Sequence, residues 1–128
     1  DPNILDEWPE NFIVQGYVPQ SELLKHIDVV IGHGGLNTTC DTFMNGIPML
    51  IIPMAFDQSH TAQLIQNYGC GIRIKYSRIR IQDIEHAVDE LLYNPTYKKA
   101  AKEIQQSFIE AGGNKRAAEL LEEIITVK

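Results

Sequence analysis

From residue 12 onward the chain alternates short β-branched apolar runs with stretches whose apolar residues recur every three or four positions, the pattern of strands joined by amphipathic helices. Residues 12–16 (FIVQG), 28–31 (DVVI), 49–52 (MLII) and 69–76 (GCGIRIKY) predict strands. The third is apolar at every position, as a parallel strand covered on both faces should be. The fourth alternates, with Ile72, Ile74 and Tyr76 on one side and Arg73 and Lys75 on the other, which suits an edge. Helical spacing covers residues 21–26, with Ser21 as N-cap. It returns over residues 37–45, where Leu36, Cys40, Phe43 and Met44 line one side and Gly46 and Pro48 stop the helix. Residues 58–68 predict a further helix. Ile81, Ile84, Val88, Leu91 and Leu92 define another over 81–93, ended by Asn94 and Pro95. Residues 97–111 bury Ala100, Ala101, Ile104 and Phe108, and after a break at Gly112 and Gly113, Asn114 caps a last helix over 115–125. Residues 1–11, polar and carrying Pro2 and Pro9, read as a lead-in loop. The sum is one domain, residues 1–128, of α/β class: a Rossmann-like, doubly wound parallel sheet without internal repeats.

Ligands collect beyond the carboxyl ends of the strands in such sheets. Three loops are expected there, carrying residues 17–20, residues 33–41, and Asp57 with Gln58. The second belongs to GHGGLNTTCD, residues 32–41. Gly34 and Gly35 let the backbone turn sharply and approach a ligand, and Asn37 and Thr38 start a helix whose free N–H groups and positive end favour an anion. Asp41 lies one turn further on roughly the same face, where a carboxylate suits the paired hydroxyls of a sugar better than a phosphate. With the aromatic ring of Tyr17, this chemistry suits a nucleotide carrying a diphosphate and a sugar. Each residue has a plainer reading. His33 can be tied to backbone at a strand end, Asp41 solvated on its helix, Tyr17 packed into a turn, and Asp57 and Gln58 can cap the helix that begins there. His33, His60, Asp41 and Asp57 lack the paired spacing of metal ligands. His26, His60 and His86 read as surface residues, and Trp8 as a packing residue.

Composition narrows the partners. The chain is 44% hydrophobic and 22% charged, enough for a core, and no apolar run is long enough to span a bilayer. A net charge of -6 argues against nucleic acid or an anionic membrane as the main partner, so a phosphate must be held locally. The two cysteines, Cys40 and Cys70, show no pairing pattern and fit buried free thiols in a reducing, cytoplasmic setting.

The stretch YVPQSELLKHIDVVIGHGGLNTTCDTFMNGIPMLIIPMAFDQ resembles the donor-binding signature of the UDP-glycosyltransferases, most nearly the bacterial macrolide-type branch. Pro19 and Gln20, the HGG of residues 33–35, Asn37, Gly46, Pro48, Pro53, and Asp57 with Gln58 fall in the family's order and spacing. The resemblance implies the C-terminal half of a GT-B glycosyltransferase. It further implies that Tyr17 stacks on uracil and that the Val18 backbone pairs with the base edge. Gln20 and Asp41 would bind the ribose hydroxyls. His33, the Gly35 backbone, Asn37 and Thr38 would contact the diphosphate, and Asp57 and Gln58 the donor sugar. Three positions depart from the family pattern: Tyr17 for tryptophan, Asp41 for glutamate and Thr38 for serine.

The same resemblance implies inverting transfer of a hexose from a UDP-sugar to a small-molecule acceptor, with no metal or other cofactor. The catalytic base and the acceptor site belong to an N-terminal domain that this stretch does not include, so no catalytic residue is expected here and the chain reads as part of a longer enzyme lacking its first strands. A sheet short of those strands leaves one edge bare for self-association. Two alternatives share the fold: a UDP-sugar-binding subunit of a split N-acetylglucosaminyl transferase, and part of a UDP-sugar epimerase.

Overall fold

Met49, Leu50 and Ile51 expose no surface, and the strand they form is the middle of the sheet. The computed structural model describes residues 7–127. Three parallel strands, β1 (Val30–Gly32), β2 (Met49–Ile51) and β3 (Gly71–Arg73), lie in that order, with Leu50 opposite both Ile31 and Ile72. The helices among the described residues are α1 (Gln20–Leu23), α2 (Leu36–Met44), α3 (Phe56–Asn67), α4 (Ile81–Tyr93), α5 (Pro95–Glu110) and α6 (Gly113–Thr126). None is long and apolar enough to cross a membrane.

Successive side chains of a strand point to opposite faces, and β2 uses both. Met49 and Ile51 pack with Phe43 of α2, Ala62 and Ile65 of α3, Cys70, and Ala101 of α5. Leu50 packs on the other face with Ala87 and Leu91 of α4. An uninterrupted apolar run is what a strand covered on both sides requires, so the α/β reading holds. The approach of β3 to β2 depends on Gly71, because a Cβ there would run into the Met49 carbonyl oxygen and the Ile65 side chain. Helix α2 ends at Gly46, whose φ of +64° disfavours other residues and whose free space is taken by Gln105 of α5. The Gln105 side chain also donates to the Met44 carbonyl at 2.9 Å, locking α2 to α5.

Several expected boundaries and caps differ. Residues 12–16 form no strand, since they have no ladder partner among the described residues; the Phe12 N–H bonds only to the Pro9 carbonyl, and Ile13 is 91% exposed. A strand is defined by its pairing, which the apolar pattern alone does not supply. Ser21 is not an N-cap: α1 starts one residue earlier behind Pro19, whose carbonyl accepts from Glu22 and Leu23, and a 3₁₀ turn over Leu24–His26 follows. The second strand begins two residues late, at Val30, and the fourth shrinks to Gly71–Arg73. As expected, β3 lies at an edge, with Ile72 and Ile74 packed toward α4. On α2, Phe43 is buried but Leu36 and Met44 are exposed, and Ile81 of α4 is exposed as well. Asn114 sits inside α6, which is capped by Gly112. In the lead-in loop Trp8 stacks on Phe12 at 6.0 Å between ring centres, and residues 1–6 of that loop lie outside the described residues.

Candidate functional site

Because the strands are parallel, β1 and β2 open at the same end of the sheet, and the loops that leave them meet there. Residues 33–35 carry β1 into α2. Gly34 has φ +91°, and a Cβ on it would lie 3.0 Å from Ile51 Cγ2 and 3.6 Å from the Gln58 carbonyl oxygen. The first loop is therefore pressed against the end of β2 and the first turn of α3. Gly35 is the N-cap of α2 in extended conformation, with φ -60°. A Cβ there would lie 2.8 Å from His33 Nε2, so the exposed imidazole is folded directly over this glycine.

Helix α2 begins one residue before the expected start. The Thr39 N–H donates to the Gly35 carbonyl at 3.0 Å, closing the first helical turn. The N–H groups of Leu36, Asn37 and Thr38 precede that bond and have no acceptor within the helix, so they carry its positive end. Leu36 is 70% exposed and Asn37 is also exposed, which leaves this end open. No side chain caps it. An apolar residue at the first helical position, with its own free N–H and two more behind it, is a poor self-contained terminus and a good anion site.

Gln20, at the first position of α1, reaches across to α2. Its Nε2 donates to Asp41 Oδ2 at 2.9 Å, and its Oε1 accepts a long 3.5 Å bond from the Thr38 hydroxyl. Residues 18 and 21 positions apart in sequence thus form one cluster beside the open helix end. Asp41 is exposed, and the single bond from Gln20 leaves carboxylate lone pairs for an outside donor.

The third loop turns part of its chemistry inward. Gln58 Oε1 accepts from the backbone N–H groups of Met54 and Ala55 at 2.9 and 3.0 Å, capping the start of α3 and fixing the loop after β2. Its Nε2 is left as a donor. Asp57, exposed in the first turn of the same helix, makes no side-chain bond among the described residues. Tyr17 is 84% exposed and Val18 is exposed, in the irregular segment before α1, so Tyr17 is not packed into a turn. His26, His60 and His86 are at the surface. The structure thus joins Gln20, Thr38 and Asp41 directly, sets His33 and Gly35 in contact, and ties Gly34 to Gln58. Among the described residues neither the Tyr17 nor the Val18 side chain hydrogen-bonds to the rest. In the first turn of α2 the buried Thr39 hydroxyl has no hydrogen-bond partner among the described residues.

Residues 2–125 match the family described as erythromycin biosynthesis protein CIII-like, C-terminal domain. The chain belongs to that family. It is similar to an uncharacterized UDP-glucosyltransferase, YojK, of Bacillus subtilis, with 38% identity over 97% of this chain and 31% of the relative. It is also similar to the NDP-glycosyltransferase YjiC of the same organism, with 32% identity over 95% of this chain and 31% of the relative. Among solved structures, the glycotransferase of kitacinnamycin superposes with a TM-score of 0.89 at 31% identity, covering 96% of this chain and 32% of that one. This C-terminal domain family member therefore has the α/β architecture of GT-B glycosyltransferases and spans about a third of the length of the curated relatives it matches.

Proposed function

We propose that the chain is the nucleotide-sugar-binding part of an inverting glycosyltransferase that moves a hexose from a UDP-sugar, such as UDP-glucose, to a small-molecule acceptor in the cytoplasm. The observation that carries this reading is the hydrogen-bonded pair of Gln20 and Asp41 beside the open N-terminus of α2. A diphosphate at that terminus receives the N–H groups of Leu36, Asn37 and Thr38, with His33 as a further donor and the Thr38 hydroxyl as another once it leaves its long 3.5 Å bond to Gln20. A ribose one turn along reaches the Asp41 carboxylate, which Gln20 holds in place. Tyr17 lies exposed on the approach to α1, available to a base ring, with the Val18 backbone beside it. Asp57 and the free Nε2 of Gln58 reach the donor sugar from the neighbouring loop.

In transfer, negative charge grows on the leaving diphosphate as the glycosidic bond breaks. Preorganised donors aimed at that charge lower the barrier more than they strengthen ground-state binding. The helix end, His33 and Thr38 fill that role here without a metal ion. Acceptor deprotonation falls to a base outside these residues.

Calorimetric titration with UDP tests the reading. Binding should survive a chelator and weaken about tenfold or more in His33→Ala, the loss expected for one hydrogen bond to a charged group. Heat that vanishes with the chelator, or an unchanged His33→Ala affinity, would remove the proposed site.

Self-association belongs to the same reading. Among the described residues β1 pairs on one side only, and Ile31 on it is 54% exposed. We assign that edge as the surface through which the chain self-associates.

A further inference from the structure

A cavity of about 860 Å³ runs along the free edge of β3, and none of its lining residues belongs to the site above. That volume falls in the range of about 300–1,000 Å³ usual for small-molecule sites. Its wall is unlike the rest of the molecule. In a chain of net charge -6, residues 73–80 carry Arg73, Lys75, Arg78 and Arg80, and all four line this cavity.

The cations are not equally engaged. Arg80 is neutralised by Asp83 through two bonds of 2.8 and 2.9 Å, Nη2 to Oδ1 and Nε to Oδ2. Glu90, the other carboxylate in the wall, accepts from Asn94 at 3.1 Å. Arg73 spends one donor, Nη1, on Gln63 at 3.2 Å, and its Nε is buried with no acceptor. The side chains of Lys75 and Arg78 make no hydrogen bond or ion pair among the described residues, and both are exposed. Among the described residues Arg73, Lys75 and Arg78 form no ion pair, and with Glu90 the one carboxylate in the wall not paired to a cation, the lining keeps an excess of two positive charges. The cavity also has an apolar wall, made of Ile72, Ile74 and Ala87, with the ring of Tyr97 at its end.

Cys70 and Ile74 direct their carbonyl and N–H toward Met49 and Ile51 of β2. By the alternation of a parallel ladder, both the N–H and the C=O groups of Gly71 and Arg73 point the other way, off the free edge, so the backbone there offers donors and acceptors alike and the side chains set the sign of the ligand.

We propose that this groove is a second ligand site, selective for small amphipathic anions. An aromatic or aliphatic body lies against Ile72, Ile74 and Ala87, and a phosphate or carboxylate head sits among Arg73, Lys75 and Arg78. The charge balance chooses the sign of the ligand and the apolar wall chooses its body. A neutral ligand leaves three cations unpaired, and a bare inorganic anion leaves the apolar wall wet.

Amide chemical shifts of the ¹⁵N-labelled chain test this separately from the UDP site. The probes are phenyl phosphate and benzoate, with inorganic phosphate as the head alone and phenol as the body alone. Saturable shifts confined to residues 71–80 and to α4 are expected with at least one of the aryl anions, and which one responds identifies the head. Inorganic phosphate should bind there at least about tenfold more weakly, and phenol without saturation. Reversing the exposed rim in Lys75→Glu/Arg78→Glu should weaken the aryl anion about tenfold or more while the remaining amide shifts keep their positions. Added salt should weaken binding to the unaltered chain, which decides the point even if the double variant folds poorly. Absence of saturable shifts at residues 71–80, an equal response to phenol, or indifference to both salt and charge reversal overturns the proposal. Shifts limited to residues 35–41 report the nucleotide site and overturn it as well.

Discussion

Gly34 and Gly35 are neighbours with different reasons for being glycine, and substitution separates them. Gly34 has φ +91° and packs 3.0 Å from Ile51 Cγ2 when given a Cβ, so Gly34→Ala meets both an unfavourable backbone and a tight neighbour. It should lower stability by about 1–3 kcal/mol, read by urea denaturation. Gly35 has an ordinary extended backbone, and its only conflict is with the His33 ring. Gly35→Ala should therefore keep stability within about 1 kcal/mol yet lose UDP affinity, because the imidazole must swing away. Equal stability losses in the two variants would contradict this division. Cys70 gives a pH test. Burial pushes its thiol from 9.0 up to about 11, so the folded chain holds that proton more tightly than the unfolded one. Its contribution to stability is complete below pH 9.0 and lost as pH rises through about 11. The denaturation midpoint should fall over that interval, and less steeply in Cys70→Ala. At about pH 8, iodoacetamide should modify the less buried Cys40 well before Cys70.

At the scale of elements, helices were far more legible than strands. The spacing of Ile84, Val88 and Leu91 gave α4 its observed limits, since a helix satisfies its hydrogen bonds within itself. Strand limits came out too long, because a ladder ends where its neighbour ends. Caps were the weakest point: Ser21 and Asn114 have capping chemistry, yet Pro19 and Gly112 occupy the N-cap positions. Helix α6 shows the other failure of pattern. It is amphipathic, with Leu120, Leu121, Ile124 and Ile125 recurring on one side, but none of its residues is buried. It therefore adds little to the stability of the described fold. Deleting residues 113–128 should move the unfolding free energy by less than about 1 kcal/mol, the range of changes that remove no buried contact. A larger loss in urea denaturation would mean that α6 is packed in solution.

At the scale of the whole molecule, the sheet has two different edges. The β3 edge is short and bordered by Arg73, Lys75 and Arg78, charges that discourage pairing with another strand. The β1 edge carries the exposed Ile31 and, among the described residues, lacks such protection. Sedimentation should show concentration-dependent association that Ile31→Lys abolishes and that charge reversal at Lys75 and Arg78 does not. A monomer at all concentrations would remove the assignment of the β1 edge.

The sequence by itself determined the α/β class, the central apolar strand at residues 49–51, most of the helices, and the stretch in which candidate site residues lie. These follow from short-range periodicity and from the side chains that a sharp strand-to-helix turn needs. Only the tertiary structure decided which of those residues meet. Gln20 touches Asp41 because α1 comes beside α2, Gly34 lies against Ile51 because β1 pairs with β2, and residues 12–16 stay unpaired because no strand lies beside them among the described residues. Each of these outcomes depends on a partner distant along the chain or on its absence, and no local pattern encodes it.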